Sequence, residues 1–106
     1  MKITLAGEEI ELNPTFENIK KAESEMGTFV GYGTRCVKET VTVSDIVNAY
    51  YHLQSTPYSK PQLFEKITND GLIKHMINLR NLIVPLLTGK EPEEYEKEVE
   101  GQAEKK

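Results

Sequence analysis

The hydrophobic pattern of the chain is strongest between Gly71 and Gly89, where apolar residues occupy nearly the whole circumference of a helix. Such a helix needs cover on almost every side. The pattern therefore predicts either the central helix of a small core or a contact with another chain. The polar side chains and a proline fall on one narrow stripe, at helical spacing: Lys74, Asn78, Asn81 and Pro85.

Alternation of apolar and polar residues predicts a β-hairpin over residues 2–12. With Gly7-Glu8 at the tip, in the glycine-first order of a type II′ turn, Leu5 lies opposite Ile10. Turn chemistry and alternation then agree, and an isolated hairpin of this kind needs helices against its apolar face. The residues that share that face are Ile3, Leu5, Ile10 and Leu12.

Helical periodicity with start and stop signals predicts four helices, at about 14–26, 44–55, 60–69 and 71–88. The first is capped by Asn13 or Thr15, the second by Thr42 or Ser44, and the third by a Ser59 capping box. The side chains expected to face inward from the first and third helices are Phe16, Ile19, Ala22, Met26, Leu63, Phe64 and Ile67.

The segment 28–43 leaves two alternatives open, a poor helix or an irregular crossing, because Gly31 and Gly33 interrupt its apolar residues. Val41 to Val43 is compatible with a short extended piece. Together these elements predict a mainly helical α+β domain over residues 1–89, with a hairpin packed on four to five helices.

Charge is unevenly distributed along the chain. Residues 90–106 hold seven glutamates and four lysines, a net charge of −3 out of a total of −4. This composition predicts an acidic, disordered tail. The rest of the chain is close to neutral, which argues against nucleic acid as a partner, because phosphate binding requires an excess of Lys and Arg.

Candidate reactive residues are few. Cys36 is the single cysteine, which excludes an intramolecular disulfide and fits a reducing cytoplasm. His52 and His75 lie on different predicted helices without a second ligand at metal spacing, so both are expected to be surface or half-buried residues. We expect no metal, no cofactor and no catalytic residue.

Two further sets of residues could take part in cofactor binding or catalysis. Gly31 and Gly33 match part of a dinucleotide fingerprint, but Cys36 stands at its third position and a flexible connector explains them better. The carboxylates Asp45, Glu39 and Glu65 could pair, although Asp45 is better used near a helix N-terminus.

Aromatic residues indicate a contact surface. Tyr50 and Tyr51 cannot both face the core, and Tyr58 follows in the nearby proline-containing break. Tyrosine is enriched in contact surfaces because it offers a large area at low entropy cost. Half-buried tyrosines at the edge of the core are the alternative interpretation. The expected contact residues, including those of the apolar helix, are Tyr51, His52, Tyr58, Leu79, Leu82 and Leu86.

Residues 59–87 also have the outline of a helix–turn–helix unit, two helices joined at Gly71. In a DNA-binding unit, the first residues of the second helix face base edges. Here Leu72 and Ile73 stand at those positions, which favours burial. A small regulatory or nucleic-acid-binding module is therefore the alternative function.

Export and membrane insertion are not expected. The N-terminal residues lack the apolar segment of a signal peptide, and the longest apolar run, 82–87, is far too short to cross a bilayer. We expect a cytoplasmic protein.

The order of these elements resembles a known family. The hairpin ITLAGEEIELNPT, the helix FENIKKAESEMG, the helix entry TVSDIVNAYYHL, the NDG turn and the closing LLTGKEPEE are similar to the small tail assembly chaperones of tailed bacteriophages and gene transfer agents. The resemblance covers residues 3–94. It implies a non-enzymatic bacterial cytoplasmic protein that self-associates and keeps the tape-measure protein soluble until tail tube subunits assemble. Gly31 and Gly33 depart from the family pattern, which implies a more helical stretch there.

Overall fold

The computed structural model describes residues 1–90, which form a two-stranded antiparallel hairpin followed by five helices. The mainly helical α+β fold expected from the sequence is confirmed. The predicted tail lies outside the described residues, apart from Lys90. The elements are β1 (Lys2–Leu5), β2 (Glu8–Glu11), α1 (Phe16–Met26), α2 (Phe29–Val37), α3 (Val43–Leu53), α4 (Lys60–Asp70) and α5 (Leu72–Thr88).

The predicted register of the hairpin is wrong, although its apolar face is correct. Ile3 lies opposite Ile10, and Leu5 opposite Glu8, so the turn residues are Ala6 and Gly7. Both have positive φ, 51° and 81°, which is a type I′ turn. Since pairing differs from the expectation by two residues, the apolar side chains stay on the same face. That face is buried against the helices.

Side-chain caps set the helix starts. Thr15 accepts a hydrogen bond from the Asn18 backbone N–H and so caps α1, one of the two predicted caps. Thr42, rather than Ser44, caps α3 and forms a capping box with Asp45. This role places Thr42 just outside the helix and Val43 inside it, so the extended piece expected at 41–43 is absent.

The predicted capping box of α4 is confirmed. The Gln62 backbone N–H donates to the Ser59 hydroxyl, and the Gln62 side chain accepts from the Ser59 backbone N–H. Gly71, with φ of 103°, then separates α4 from α5. The two helices therefore meet at a single residue, the glycine at which the sequence predicts their junction.

The undecided segment 28–43 contains a regular helix, α2. Thr28 caps its N-terminus by accepting a hydrogen bond from the Gly31 backbone N–H. Tyr32 and Cys36, one turn apart, are both fully buried. Burial of this stripe explains why a glycine-containing segment is helical, since tertiary packing outweighs weak intrinsic propensity.

Helix α5 packs on α2, α3 and α4, which cover one side of it. This chain does not enclose α5 on every side, because Ile73, Ile77, Leu86 and Leu87 are exposed. The alternative, a contact with another chain, stays a prediction. The polar stripe was correctly located, and none of its four members is buried. No helix within residues 1–90 is long and apolar enough to cross a membrane.

Two aromatic side chains expected in the core are also exposed. Phe16 is 79% exposed because it is the first residue of α1, and Phe64 is 47% exposed on the outer side of α4. The largest fully buried side chains come from every helix except α1, and from the hairpin and the residue after it: Leu5, Leu12, Tyr32, Cys36, Tyr50, Leu53, Leu63, Ile67, His75, Leu79 and Ile83.

Candidate interaction surfaces

An open apolar groove lies between α2 and the C-terminal end of α5. We call it the valine groove and define it by Val30, Val37, Val84 and Leu87. Val30 is 65% exposed, and Val37 and Leu87 are each more than one third exposed. Its volume of about 240 Å³ lies below the range of roughly 300–1,000 Å³ typical of small-molecule pockets. A few apolar side chains of a polypeptide fit it better.

Gly33 brings the two helices of the valine groove close together. A Cβ atom at this position would lie 2.1 Å from Leu87 Cδ1 and 3.1 Å from Ile83 Cγ2. Glycine therefore permits a close crossing of α2 and α5 that a larger residue would prevent. The crossing leaves the last turn of α5 beside α2 with its apolar side chains partly in solvent.

One charged side chain, the basic Lys38, lines the valine groove. Helices α2 and α5 contain Arg35, Lys74 and Arg80 and no acidic residue. The Arg35 guanidinium is engaged by Asp45 Oδ2 at 3.1 Å and by the Met26 carbonyl oxygen at 2.9 Å. An apolar segment with acidic neighbours would match this groove in both hydrophobicity and charge.

A second groove contains the three aromatic residues that the sequence singles out as a contact patch. Tyr51, His52 and Tyr58 line the same surface depression between α1, α3 and the segment after α3, and we call it the tyrosine groove. Tyr51 is 41% exposed, whereas His52 and Tyr58 are partly buried. The structure thus brings these residues together on the surface, and their role in partner binding stays a prediction.

Charged and polar groups in and around the tyrosine groove contact one another within the chain. The Tyr58 hydroxyl donates to the Glu8 carboxylate at 2.6–2.7 Å, and this hydrogen bond raises the pKa of Tyr58. Glu25 Oε2 lies 2.7 Å from Lys60 Nζ and 3.3 Å from His52 Nε2. The hydrogen bond from Lys60 is the largest cause of the lowered pKa of Glu25. The lining of this groove is consequently more polar than that of the valine groove.

The three leucines expected to contact a partner lie in different surroundings. Leu79 is fully buried and Leu82 is 7% exposed, so both belong to the core of this chain and not to a contact surface. Their helix packs on α2, α3 and α4. The hydrophobic pattern alone does not predict which residues of α5 these helices cover. Leu86 is 49% exposed near the end of α5, where a partner can reach it.

A buried hydrogen-bond network centres on His75, which was wrongly expected at the surface. His75 is fully buried. Its Nδ1 lies 2.6 Å from the Tyr50 hydroxyl and its Nε2 lies 2.8 Å from Asp70 Oδ2. Asp70 Oδ2 also accepts the Ala6 backbone N–H at 2.8 Å. The network therefore joins α3, α4, α5 and the hairpin turn.

This geometry defines the protonation state of the network. With a proton on Nε2 alone, His75 donates to Asp70 and accepts from Tyr50, so a neutral ring satisfies both partners. Burial is the largest cause that lowers the pKa of His75, and the Asp70 carboxylate opposes it. The pKa of Asp70 is lowered first by the Ala6 N–H and then by His75.

The remaining reactive residues are occupied or buried. Burial raises the pKa of the Cys36 thiol to about 11, which keeps it protonated and unreactive at neutral pH. Asp45 caps α3 and pairs with Arg35, and Glu65 lines a separate groove beside Lys66. Within residues 1–90, no cluster of three or more His, Cys, Asp or Glu side chains is arranged to hold a metal ion.

Comparison of the chain with models of protein families, with curated proteins and with solved structures found no match.

Proposed function

We propose that this chain is a bacteriophage or prophage tail assembly chaperone, which binds the tape-measure protein and keeps it soluble while the tail is built. The observation that carries the proposal is the valine groove, an exposed apolar surface suited to the apolar face of a helix. A tape-measure protein is a long apolar helix in the family that the chain resembles. In this role the chain acts in the cytoplasm of the bacterial host and self-associates.

Helix α2 provides a second argument for the proposal. The family pattern implies a helical stretch where Gly31 and Gly33 stand, and the chain is helical from Phe29 to Val37. The departure noted in the sequence is therefore absent from the fold. The same helix supplies half of the valine groove, so the agreement concerns the surface on which the proposal depends.

Co-expression with the long helical protein encoded beside this chain tests the proposal. The neighbour is expected to stay soluble with the unaltered chain and to precipitate with the double variant Val30→Ser, Val37→Ser. Val43→Ser is a matched control, because Val43 and Val37 are both 37% exposed and each is a terminal residue of its helix, Val43 the first of α3 and Val37 the last of α2. A neighbour whose solubility does not depend on this chain would refute the chaperone assignment.

The helix–turn–helix alternative keeps one structural argument. Helices α4 and α5 meet at Gly71, and Ile73 and Lys74 at the start of α5 are exposed. A nucleic-acid-binding module would use this end of α5 in a major groove. A gel shift with duplex DNA at low salt tests it: nanomolar affinity that falls steeply with added salt would favour this alternative over the chaperone.

A further inference from the structure

The valine groove lies where the described chain ends. Helix α5 stops at Thr88, which lines the groove, and Gly89 follows with φ of 70°, the left-handed conformation that turns the chain away from the helix axis. Two residues, Gly89 and Lys90, join the groove-lining Thr88 to residues 91–106. The covalent connection from Thr88 to residue 91 therefore spans at most roughly 11 Å.

The residue types of segment 91–106 suit the valine groove. Tyr95 and Val99 are its large apolar residues, at the spacing of four that would place them on one side of a helix. Seven glutamates against three lysines surround them. This acidic excess meets two helices that contain no acidic residue, beside Lys38. The apolar and acidic side chains of the segment are thus complementary to the apolar lining and Lys38 of the valine groove.

We propose that the acidic C-terminal segment docks in the valine groove of its own chain through Tyr95 and Val99. Attachment through only Gly89 and Lys90 gives the segment a high effective concentration, so a weak apolar contact suffices to fill the groove. A partner that uses the same groove must displace the segment. The proposal concerns the isolated chain and does not depend on the identity of any client.

Amide hydrogen exchange of residues 94–100 in the full-length chain tests this contact. We expect exchange roughly tenfold slower than in an unstructured peptide, and a return to the unstructured rate in the double variant Val37→Ser, Leu87→Ser. Both side chains are partly exposed, so the fold should survive their replacement. The control is Val43→Ser, which has the same exposed fraction as Val37 and lies outside the groove.

Substitutions in the C-terminal segment test the same contact without altering α2 or α5. Tyr95→Ser with Val99→Ser should shift the methyl resonances of Val30, Val37 and Leu87, because a tyrosine ring leaves them. Lys97→Ser with Gln102→Ser, in the same segment, should leave those resonances in place.

Three results would overturn the proposal. The first is exchange of residues 94–100 at the unstructured rate in the unaltered chain. The second is protection that persists when Val37 and Leu87 are replaced, which would locate the segment elsewhere. The third is protection that rises with protein concentration together with a dimer in sedimentation, because the occupant would then come from a second copy. None of these results depends on the chaperone assignment, which the co-expression experiment tests separately.

Discussion

The two halves of α5 are held in different ways. Its first half is fixed by hydrogen bonds inside the molecule, in which His75 accepts from the Tyr50 hydroxyl and donates to Asp70. Its last turns contact α2 through apolar side chains at the close crossing around Gly33, and Leu86 and Leu87 remain partly in solvent. One continuous helix thus joins an end whose inner side is closed by a polar network to an apolar, open end, and in the first half only the outward-facing residues such as Ile73 and Ile77 are exposed.

The difference separates stability from recognition. A buried hydrogen-bond network has strict geometry, since each lost partner leaves a polar group buried without compensation. Apolar contacts at a half-exposed groove are less directional and can be exchanged for similar contacts with another segment. We therefore expect substitutions at the first half to change the free energy of unfolding strongly, and substitutions at the second half to change binding more than stability.

Replacement of His75 should produce the largest loss of stability. His75→Ala removes a fully buried ring, creates a cavity and leaves the Tyr50 hydroxyl without its partner. A cost of about 3 kcal/mol in the free energy of unfolding follows from large-to-small core substitutions. Urea denaturation measures it as a lower midpoint at unchanged slope.

His52→Ala is the control for that measurement. His52 also lies near a carboxylate, Glu25 Oε2 at 3.3 Å, but it lines the tyrosine groove and its side chain remains 12% exposed. We expect a cost of about 1 kcal/mol, smaller than for His75→Ala, because no buried hydrogen-bond network is broken. Equal effects of the two substitutions would contradict the structural role assigned to the network.

A side chain at Gly33 should give the next largest effect. Val at this position places Cβ against Leu87 and Ile83 and forces the two helices apart, at a cost of about 1–3 kcal/mol. Leu87→Ala alone should cost less, since Leu87 is 36% exposed. In the double variant, part of the loss should be recovered, and a double-mutant cycle of thermal unfolding measures that recovery. Additive losses would show that the crossing does not depend on this contact.

The elements that could be predicted from the sequence are those with local causes. Capping boxes at Thr42 or Ser59, and the glycine that ends α1, act within a few residues of themselves, so the helix bounds agree closely with the expectation. The hairpin register has a distant cause. The turn at Ala6 is stabilised by Asp70, 64 residues away in the sequence, and a local pattern contains no sign of that contact.

The site was predicted less completely, for a physical reason. Proximity in sequence and helical phase place Tyr51, His52 and Tyr58 near one another, and they line one groove. The valine groove instead requires α2, which the glycines obscured, to lie beside the end of α5. Gly33 was a usable signal, because a glycine inside an apolar helical stripe marks close backbone approach as well as flexibility.

The buried network also predicts a dependence of stability on pH. The folded state holds His75 with a pKa below its ordinary value of 6.5, so the unfolded state binds more protons as the pH falls through 6.5. Stability is therefore complete above that pH and declines below it, by at most about 1.4 kcal/mol per pH unit for one proton. Asp70, whose pKa is lowered from 3.8, adds a further decline in stronger acid.

Substitution isolates the contribution of His75 to this pH profile. The groups that face its ring are Tyr50, Asp70, Lys74 and Asn78. His75→Gln should flatten the profile of unfolding free energy between pH 6.5 and 5.5, whereas His52→Gln should leave it sloping. A profile that is unchanged in His75→Gln would mean that another group titrates in this window.

The smallest effect on stability is expected at the open end of α5. Leu86 is 49% exposed, so Leu86→Ser should change the free energy of unfolding by less than about 0.5 kcal/mol, the usual range for surface substitutions. The same substitution should weaken co-purification with the long helical neighbour, because Leu86 extends the apolar surface beside Leu87. A loss of more than about 2 kcal/mol would place Leu86 in the folding core instead. The open and closed ends of α5 would then no longer differ in kind.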